Sequence, residues 1–587
     1  MSELLLPIIA LPALIALLLL VPSPPVRSAA RSLAPWASLP ALGLALWTDP
    51  DARTDVSWLL LGARLGADAT GRVFLLLTAL LWTLAGLYAR AYLAHDPGRS
   101  RFTFFFLLTM SGNLGLTVAQ DLATFYFCFV VMTFAAYGLV VHEASARAFR
   151  AGRVYIAMAV VGEVMLLAGL LLAAHSAGGS LDLRDVPAGV AGGPRRDLTV
   201  ALLLGGFGVK AGALPLHVWL PLAHPVAPTP ASAVLSGAMI KAGLLGWLRF
   251  LPLGEATLPG WGAFVIALGL VAAFYGVAVG AVQDDAKTAL AYSSISQMGL
   301  ITVGIGAGLA EPRAPPLVTT AVVFYALHHG LAKGALFLGV GVASAVPARG
   351  WSRRLVALGL LVAALTLAGA PLTSGVAAKS VLKGPAAMAP APWEQWLAWL
   401  LPLSAAGTSL LMGRVLLLAL AHDKPGSGHG LGPGLAAPWA LTLIAVATIA
   451  WLVPGHYALA GVEPLNLAPA HLWSAVWPIL LGGLLLWGIH LLGRRRAPAL
   501  AVHIPPGDVL IAEERALRWC LAFGRTRLWP AVVAVGQGVE AAADGLIPGE
   551  AADSMLAKLE RGMGRFALAG ILLLSLLAAL FLTMMGG

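Results

Sequence analysis

Apolar runs of about 17 to 25 residues follow one another along most of the chain, separated by short joints rich in Arg, Asp, Gly and Pro. At 1.5 Å of rise per residue, such a run crosses roughly 30 Å of hydrocarbon once as a helix. Roughly sixteen can be marked off. The first eight lie near 3–21, 32–48, 70–92, 102–119, 121–141, 151–174, 199–219 and 229–252. The next eight lie near 258–281, 287–308, 317–345, 353–385, 393–420, 435–453, 470–493 and 566–585. The stretch 497–565 differs: charges such as Glu513, Glu514, Arg515 and Arg518 interleave with Leu, Val and Trp at helical spacing. It is too polar to span, and it predicts an amphipathic helix lying along the membrane or neighbouring subunits, with a small connector as the alternative.

Composition agrees with a polytopic membrane protein. Of 587 residues, 59% are hydrophobic and 11% charged, against roughly 25% charged in soluble domains. The formal net charge of +10 is explained by arginines at helix ends, which set topology, before any nucleic acid is invoked. Arg27, Arg31, Arg90, Arg99, Arg101, Arg147, Arg150, Arg153, Arg349, Arg353 and Arg354 fall in alternate loops. This places those loops in the cytoplasm and the N-terminus outside, with Arg195 and Arg196 as an exception. Leu4–Val21 has no basic segment before it and reads as a retained span. Cys128 and Cys520 offer no disulfide or metal framework. No CxxC, phosphate loop or metal-spaced His/Glu set is found, so no cofactor and no metal are expected.

The ionisable residues inside the runs carry the chemistry. A buried lysine costs roughly 2.5 to 3.5 kcal/mol on insertion scales. Lys210 and Lys241 lie in two runs flanking a segment broken by Pro215, Pro221, Pro225, Pro228 and Pro230. Broken spanning backbone is tolerated where it is buried in protein or lines a wet cavity. Lys241 lies about twelve residues into its run, roughly 18 Å and near mid-bilayer. The alternative is that such lysines snorkel to an interface. Glu163 sits midway along the sixth run. His328, His329 and Lys333 share another, and the i, i+4 spacing of His329 and Lys333 gives them one face, suited to handing a proton between them. Lys379 follows Pro371 and Gly375, a second break near a lysine, five runs after the first; an odd spacing is what an inverted repeat requires. His217 and His224 bracket Pro221. Arg249, Arg414 and His490 lie near run ends and read as packing groups.

The segment LPLHVWLPLAHPVAPTPASAVLSGAMIKAG resembles the signature of the antiporter-like membrane subunits of respiratory complex I and its relatives. Its wording is most similar to the large membrane subunit of formate hydrogenlyase and related membrane-bound hydrogenases, with multisubunit cation/proton antiporters as near cousins. DDAKTALAYSSISQMGL, HHGLAKGALFL and GAPLTSGVAAKSVL extend the resemblance over roughly residues 65–385. It implies an all-α fold with fourteen core helices, two inverted five-helix repeats with broken helices, and a lateral helix before a last span. The expected organisation is a three-helix segment at 1–95, repeats at 100–252 and 256–420, two accessory spans at 430–495, the lateral helix at 497–565 and a final span at 566–587.

The resemblance also implies a midplane row of proton carriers. Lys210 would serve the first half-channel, Lys241 the connection, His329 and Lys333 the centre, and Lys379 the second half-channel. One departure stands out: Val130 occupies the place of the family's fifth-span glutamate, and Glu163 is the candidate substitute as partner of Lys210. The expected function is proton translocation within a multisubunit membrane complex of the bacterial or archaeal inner membrane, driven by a redox module. The alternatives are a Na⁺/H⁺ antiporter subunit, an energising subunit for inorganic-carbon uptake, or a structural subunit with a dead path. The expected partners are other membrane subunits, lipid and protons, with Na⁺ as the alternative ion, and no nucleic acid.

Overall fold

The computed structural model describes residues 2–48, 52–421, 431–459, 461–462, 468–495 and a few positions between 504 and 515. Met1–Pro506 form one compact unit and Gly507–Gly587 a second. The expected final span, and the lateral helix but for isolated positions, lie outside the described residues.

The chain opens with α1 (Leu5–Leu18), α2 (Pro24–Leu33) and α3 (Leu39–Trp47). Then come α4 (Ala69–Tyr92), α5 (Arg99–Val118), α6 (Leu122–Val140), α7 (Ala146–Ser176) and the short α8 (Val186–Gly192). The broken region holds α9 (Arg196–Ala211), α10 (Trp219–Val226), α11 (Thr229–Val234) and α12 (Lys241–Phe250). It is followed by α13 (Pro259–Ala281), α14 (Ala286–Ala310) and α15 (Pro315–Ala345). A second broken pair is α16 (Trp351–Ala368) and α17 (Ser374–Ala387), before α18 (Trp393–Leu420), α19 (Pro433–His456) and α20 (Pro469–Arg495). Among the described residues, eleven helices are long and apolar enough to cross a membrane, with Thr229–Phe250 taken as one.

Most expected spans coincide with helices to within a few residues. The run 32–48 does not: Pro35 and Pro40 divide it into the 3₁₀ turn Ala34–Trp36 and the nine-residue α3, about 14 Å long, half a bilayer. The acidic joint after it opens a short antiparallel hairpin, β1 (Arg53–Val56) with β2 (Ala63–Gly66), which the sequence reading did not foresee. Single bridges Leu65–Ala119 and Asp121–Asp182 continue it across the ends of α5 and α6. Arg184 and Arg64 bind Asp182 at 2.6 and 3.0 Å, and the Arg184 hydrogen bond holds this carboxyl well below its usual range.

Layering follows burial. The most apolar faces of α14 and α15 are wholly enclosed, and α4 and Thr229–Phe250 nearly so, whereas α20 is mostly exposed. A hydrophobic effect cannot drive helices together in lipid, so close backbone approach does. Gly237 and Gly330 show this: a Cβ at Gly237 would stand 2.8 Å from the Gly330 carbonyl oxygen, and one at Gly330 2.5 Å from that of Gly237. The contact presses the Lys241-bearing segment against α15.

Buried arginines tie off helix ends, whose last carbonyls lack partners. Arg249 donates to the carbonyls of Leu116, Thr117 and Ala119 at the end of α5 and to Asp68 at 2.8 Å. Arg353 donates to Ala343 and Leu420. Arg249→Met strands these acceptors and is expected to destabilise the fold by about 3 kcal/mol, discounted for the partly exposed Asp68. A thermal midpoint of the detergent-solubilised variant equal to wild type would show that water replaces the guanidinium.

Candidate functional site: buried cations at the helix irregularities

The two breaks are built alike. Gly212 (φ 72°) and Gly369 (φ 91°) end α9 and α16 in the left-handed conformation. Ala213 N–H returns to the Gly208 carbonyl, and Ala370 N–H to that of Leu365, each a Schellman closure. Lys210 lies in the last turn of α9. Lys379 lies in α17, beyond its break, and reaches back to donate to the Ala368 carbonyl at the end of α16, at 2.5 Å. A helix C-terminus carries partial negative charge, so both positions favour a cation.

Lys210 is buried in a small cavity lined by Phe129, Thr133, Tyr155, Glu163, Val209 and Trp219, among others. Its ammonium lies 3.4 Å from the Tyr155 hydroxyl, which donates to the Thr133 carbonyl at 2.7 Å. It also lies 5.6–5.9 Å from the ring centroids of Phe129, Tyr155 and Trp219, close enough for cation–π attraction. Glu163 is buried, lines the same cavity and interacts electrostatically with Lys210. Neither of its carboxylate oxygens has a hydrogen-bond partner among the described residues. Val130 is not among the residues lining the cavity; Phe129 and Thr133 present the α6 face that is.

Lys241 follows a π-helical turn, Leu235–Met239, within the Thr229–Phe250 segment. Such turns loosen the carbonyl ladder, and the Lys241 ammonium donates to the Ser236 carbonyl at 2.6 Å. Lys333 donates to the Leu290 carbonyl at 2.7 Å and to the Ser293 hydroxyl. Lys241 and Lys333 repel one another, and both act on His224 and His329. These four are buried. The His224 ring stacks on Phe337 at 4.6 Å. No ring nitrogen of His224 or His329 has a hydrogen-bond partner among the described residues.

His328 points the other way. Its Nδ1 lies 2.9 Å from the Ser374 hydroxyl, which itself donates to the Val446 carbonyl. A hydroxyl has one proton, so His328 is the donor and its Nε2 carries the free lone pair. Ser374 opens α17, five residues before Lys379, and His328 feels the charge of Lys379. A partly open cavity of about 120 Å³ adjoins Lys379 and reaches exposed Lys383 and His471. His217 lies within the first break, its Nδ1 donating to the Pro215 carbonyl at 3.0 Å and its ring edge-on to Tyr275.

The structure therefore gathers three groups: Glu163 with Lys210; Lys241, His224, His329 and Lys333; and His328 with Lys379. Lys210 and Lys241 have no direct interaction among the described residues. Sequence reasoning missed Tyr155, Ser293 and Ser374, the hydroxyls that seat the charged groups, and Lys287, which donates to the Ala227 carbonyl at 2.8 Å and also acts on His224. Ser293, Ser374 and Lys287 were visible inside the motifs quoted above; Tyr155 had no such signal.

Lys333→Met is expected to leave the unfolding free energy within about 1 kcal/mol of wild type, because an apolar chain replaces a buried charge and Ser293 retains its bond to Leu290. A loss above about 3 kcal/mol would make Lys333 a structural prop.

Residues 119–393 match the family described as NADH:quinone oxidoreductase/Mrp antiporter, transmembrane. Hydrogenase-4 component B of Escherichia coli (strain K12) is 31% identical over 284 residues, 47% of this chain and 42% of that protein. The fold is similar to that of a chain of the Mrp complex from Dietzia sp. DQ12-45-1b, with a TM-score of 0.69 and 23% identity, covering 94% of this chain and 63% of that one. A chain of the membrane-bound sulfane sulfur reductase, an archaeal respiratory membrane complex, aligns with a TM-score of 0.62 and 19% identity, covering 82% and 99%. The chain spans about half the length of the curated relatives it matches.

Proposed function

We propose, for a chain that belongs through residues 119–393 to the NADH:quinone oxidoreductase/Mrp antiporter transmembrane family, that it translocates protons within a larger membrane complex. The observation that carries this reading is the row of buried lysines and histidines, seated at two broken helices and a π turn and largely without carboxylate partners. Groups buried for packing alone are matched in charge or removed. Here Lys241 and Lys333 act on one another electrostatically, so a proton on one opposes a proton on the other. His224 and His329, with unpartnered ring nitrogens, lie within reach of both charges. Protonation in one group is thereby felt in the next, from the centre through His328 to Lys379.

In this reading Glu163 replaces the missing fifth-span carboxylate and holds Lys210 in its charged form in the first half-channel, with Tyr155 fixing the ammonium between them. The halves 100–252 and 256–420 act as inverted repeats, supported by the matching closures at Gly212 and Gly369. Transfer between Lys210 and Lys241 requires an intermediary, since the two do not touch. Lys383 and His471 mark the way out of the second half. The lateral helix and the outside N-terminus belong to the same proposal.

Moving one charge against 100 mV requires about 2.3 kcal/mol, so a partner or a second gradient drives the cycle. Likeness to hydrogenase-4 component B favours a redox partner. The fold likeness to the Mrp chain, over 94% of this one, favours a second reading as a cation/proton antiporter subunit. Mass spectrometry of the subunits that co-purify in mild detergent separates them: a large nickel or iron–sulfur subunit is expected, and small hydrophobic subunits alone would point to the antiporter. Glu163→Gln in the intact complex is expected to abolish proton flux into vesicles while assembly persists. Flux at the wild-type rate would remove Glu163 from the path and leave the first half-channel inactive or differently wired.

A further inference from the structure

The arginines that set topology at the first two basic joints do more than mark a side. A second cavity, of about 220 Å³, lies where α2, the end of α4 and the start of α5 meet, and Arg31, Arg90 and Arg99 line it. Arg90 and Arg99 are exposed and Arg31 half-buried, while Phe102 and Phe106, also in the lining, are buried. The pocket thus has a cationic mouth over an aromatic floor. At about 30 Å³ per water, its volume equals roughly seven waters, room for a group bulkier than a simple ion.

Among the described residues nothing neutralises the positive charge. None of the three arginines has a carboxylate at ion-pair distance among the described residues. Arg31 donates to the Ser100 hydroxyl at 2.9 Å and Arg99 to the Ala94 carbonyl at 3.0 Å, both neutral acceptors. The nearby carboxylate, Asp96, is engaged elsewhere: it accepts from the Gly98 N–H at 2.6 Å and pairs with His142 at 3.1 Å. Partial burial, then the charges of Arg99 and Arg27, hold the Arg31 guanidinium below its ordinary value, as expected where like charges converge without a counter-ion. The 20-residue α5 begins at this spot with no side-chain cap on Gly98, so its free N–H groups add to the positive field.

The surroundings say where the anion comes from. α4, long and apolar enough to cross a membrane, ends here, and the pocket wall includes Pro35, beside Trp36, which is 44% exposed. A tryptophan with an exposed face is typical of headgroup depth. Val21 and Leu33 are exposed next to it, and an apolar groove runs from them along Leu11, Leu14 and Leu18 of α1. A soluble phosphate compound has no use for such a groove, whereas an acyl chain does.

We propose that this pocket binds the phosphodiester headgroup of an anionic phospholipid as a resident ligand. The guanidinium groups of Arg31, Arg90 and Arg99 hold the phosphate oxygens, the aromatic floor takes the glycerol side, and an acyl chain follows α1. The site is separate from the buried lysines and histidines, so its presence does not depend on the transport reading.

Native mass spectrometry of the full chain, extracted in mild detergent from membranes containing phosphatidylglycerol, tests this. Wild type is expected to retain an adduct of anionic-phospholipid mass. Arg90→Gln, which removes no hydrogen bond or ion pair among the described residues, is expected to reduce retention several-fold, and Arg31→Gln/Arg99→Gln to reduce it at least tenfold. After delipidation, phosphatidylglycerol vesicles are expected to raise the thermal midpoint of wild type but not of the double variant, which covers the case in which the variant is merely less stable. Equal retention in wild type and Arg90→Gln would overturn the proposal. So would an equal midpoint shift with phosphatidylcholine, which would make the contact unspecific, or with inorganic phosphate, which would assign the pocket to a soluble anion. Loss of a co-purifying subunit with lipid retention unchanged would also overturn it and assign the arginines to a protein partner.

Discussion

The buried ammoniums of Lys241, Lys333 and Lys379 each have a backbone carbonyl turned toward them. Lys241 takes Ser236 at a π turn, Lys379 takes Ala368 at a helix terminus, and Lys333 takes Leu290. A regular helix spends its carbonyls on its own N–H groups, so each irregularity supplies an acceptor that lipid cannot. The π turn and the left-handed end of α16 thus supply the acceptors of Lys241 and Lys379, whereas Lys333 shares a carbonyl within the regular α14 and gains the Ser293 hydroxyl. The close Gly237–Gly330 contact then brings the Lys241 carrier and the Lys333 carrier within electrostatic reach.

The same constraint explains the asymmetry between the two halves. In the first, Lys210 has aromatic rings, a phenol and a carboxylate around it, in a small cavity. In the second, Lys379 has a helix-end carbonyl and a larger cavity that reaches exposed Lys383 and His471. A charge-paired lysine suits holding a proton, and an unpaired one suits releasing it. The arginines sort by the same physics. Arg249 and Arg353, buried in the protein, satisfy helix-end carbonyls, and Arg249 also pairs with Asp68. Arg31, Arg90 and Arg99 are more accessible and have no carboxylate at ion-pair distance among the described residues.

Most spans were legible because each is a long apolar run bounded by arginine or proline, and a helix is the structure an isolated run can form in lipid. Thr229–Phe250 and Pro259–Ala281 are examples. The exception at 32–48 arose because hydropathy counts apolar residues and does not weigh two prolines against them. The hairpin Arg53–Gly66 pairs within itself over only four residues a side, and what extends it, the Leu65–Ala119 bridge and the Arg64–Asp182 ion pair, is remote in sequence. The site was legible for Lys210, Lys241, His329, Lys333 and Lys379, which stood out as polar text in an apolar line, whereas Lys287 and buried His142 did not.

What the sequence by itself determined is which groups had to be functional or stapled, since the penalty for burying charge is local to the residue. Which groups act together was decided only by tertiary structure. Glu163 and Lys210 are 47 positions apart and share a cavity because α7 packs on α9. His328 and His329, adjacent in the chain, serve different groups because successive helix residues point about 100° apart. Lys210 and Lys241, bracketing one motif, do not touch. Coulomb coupling depends on distance in space, and only packing sets that distance.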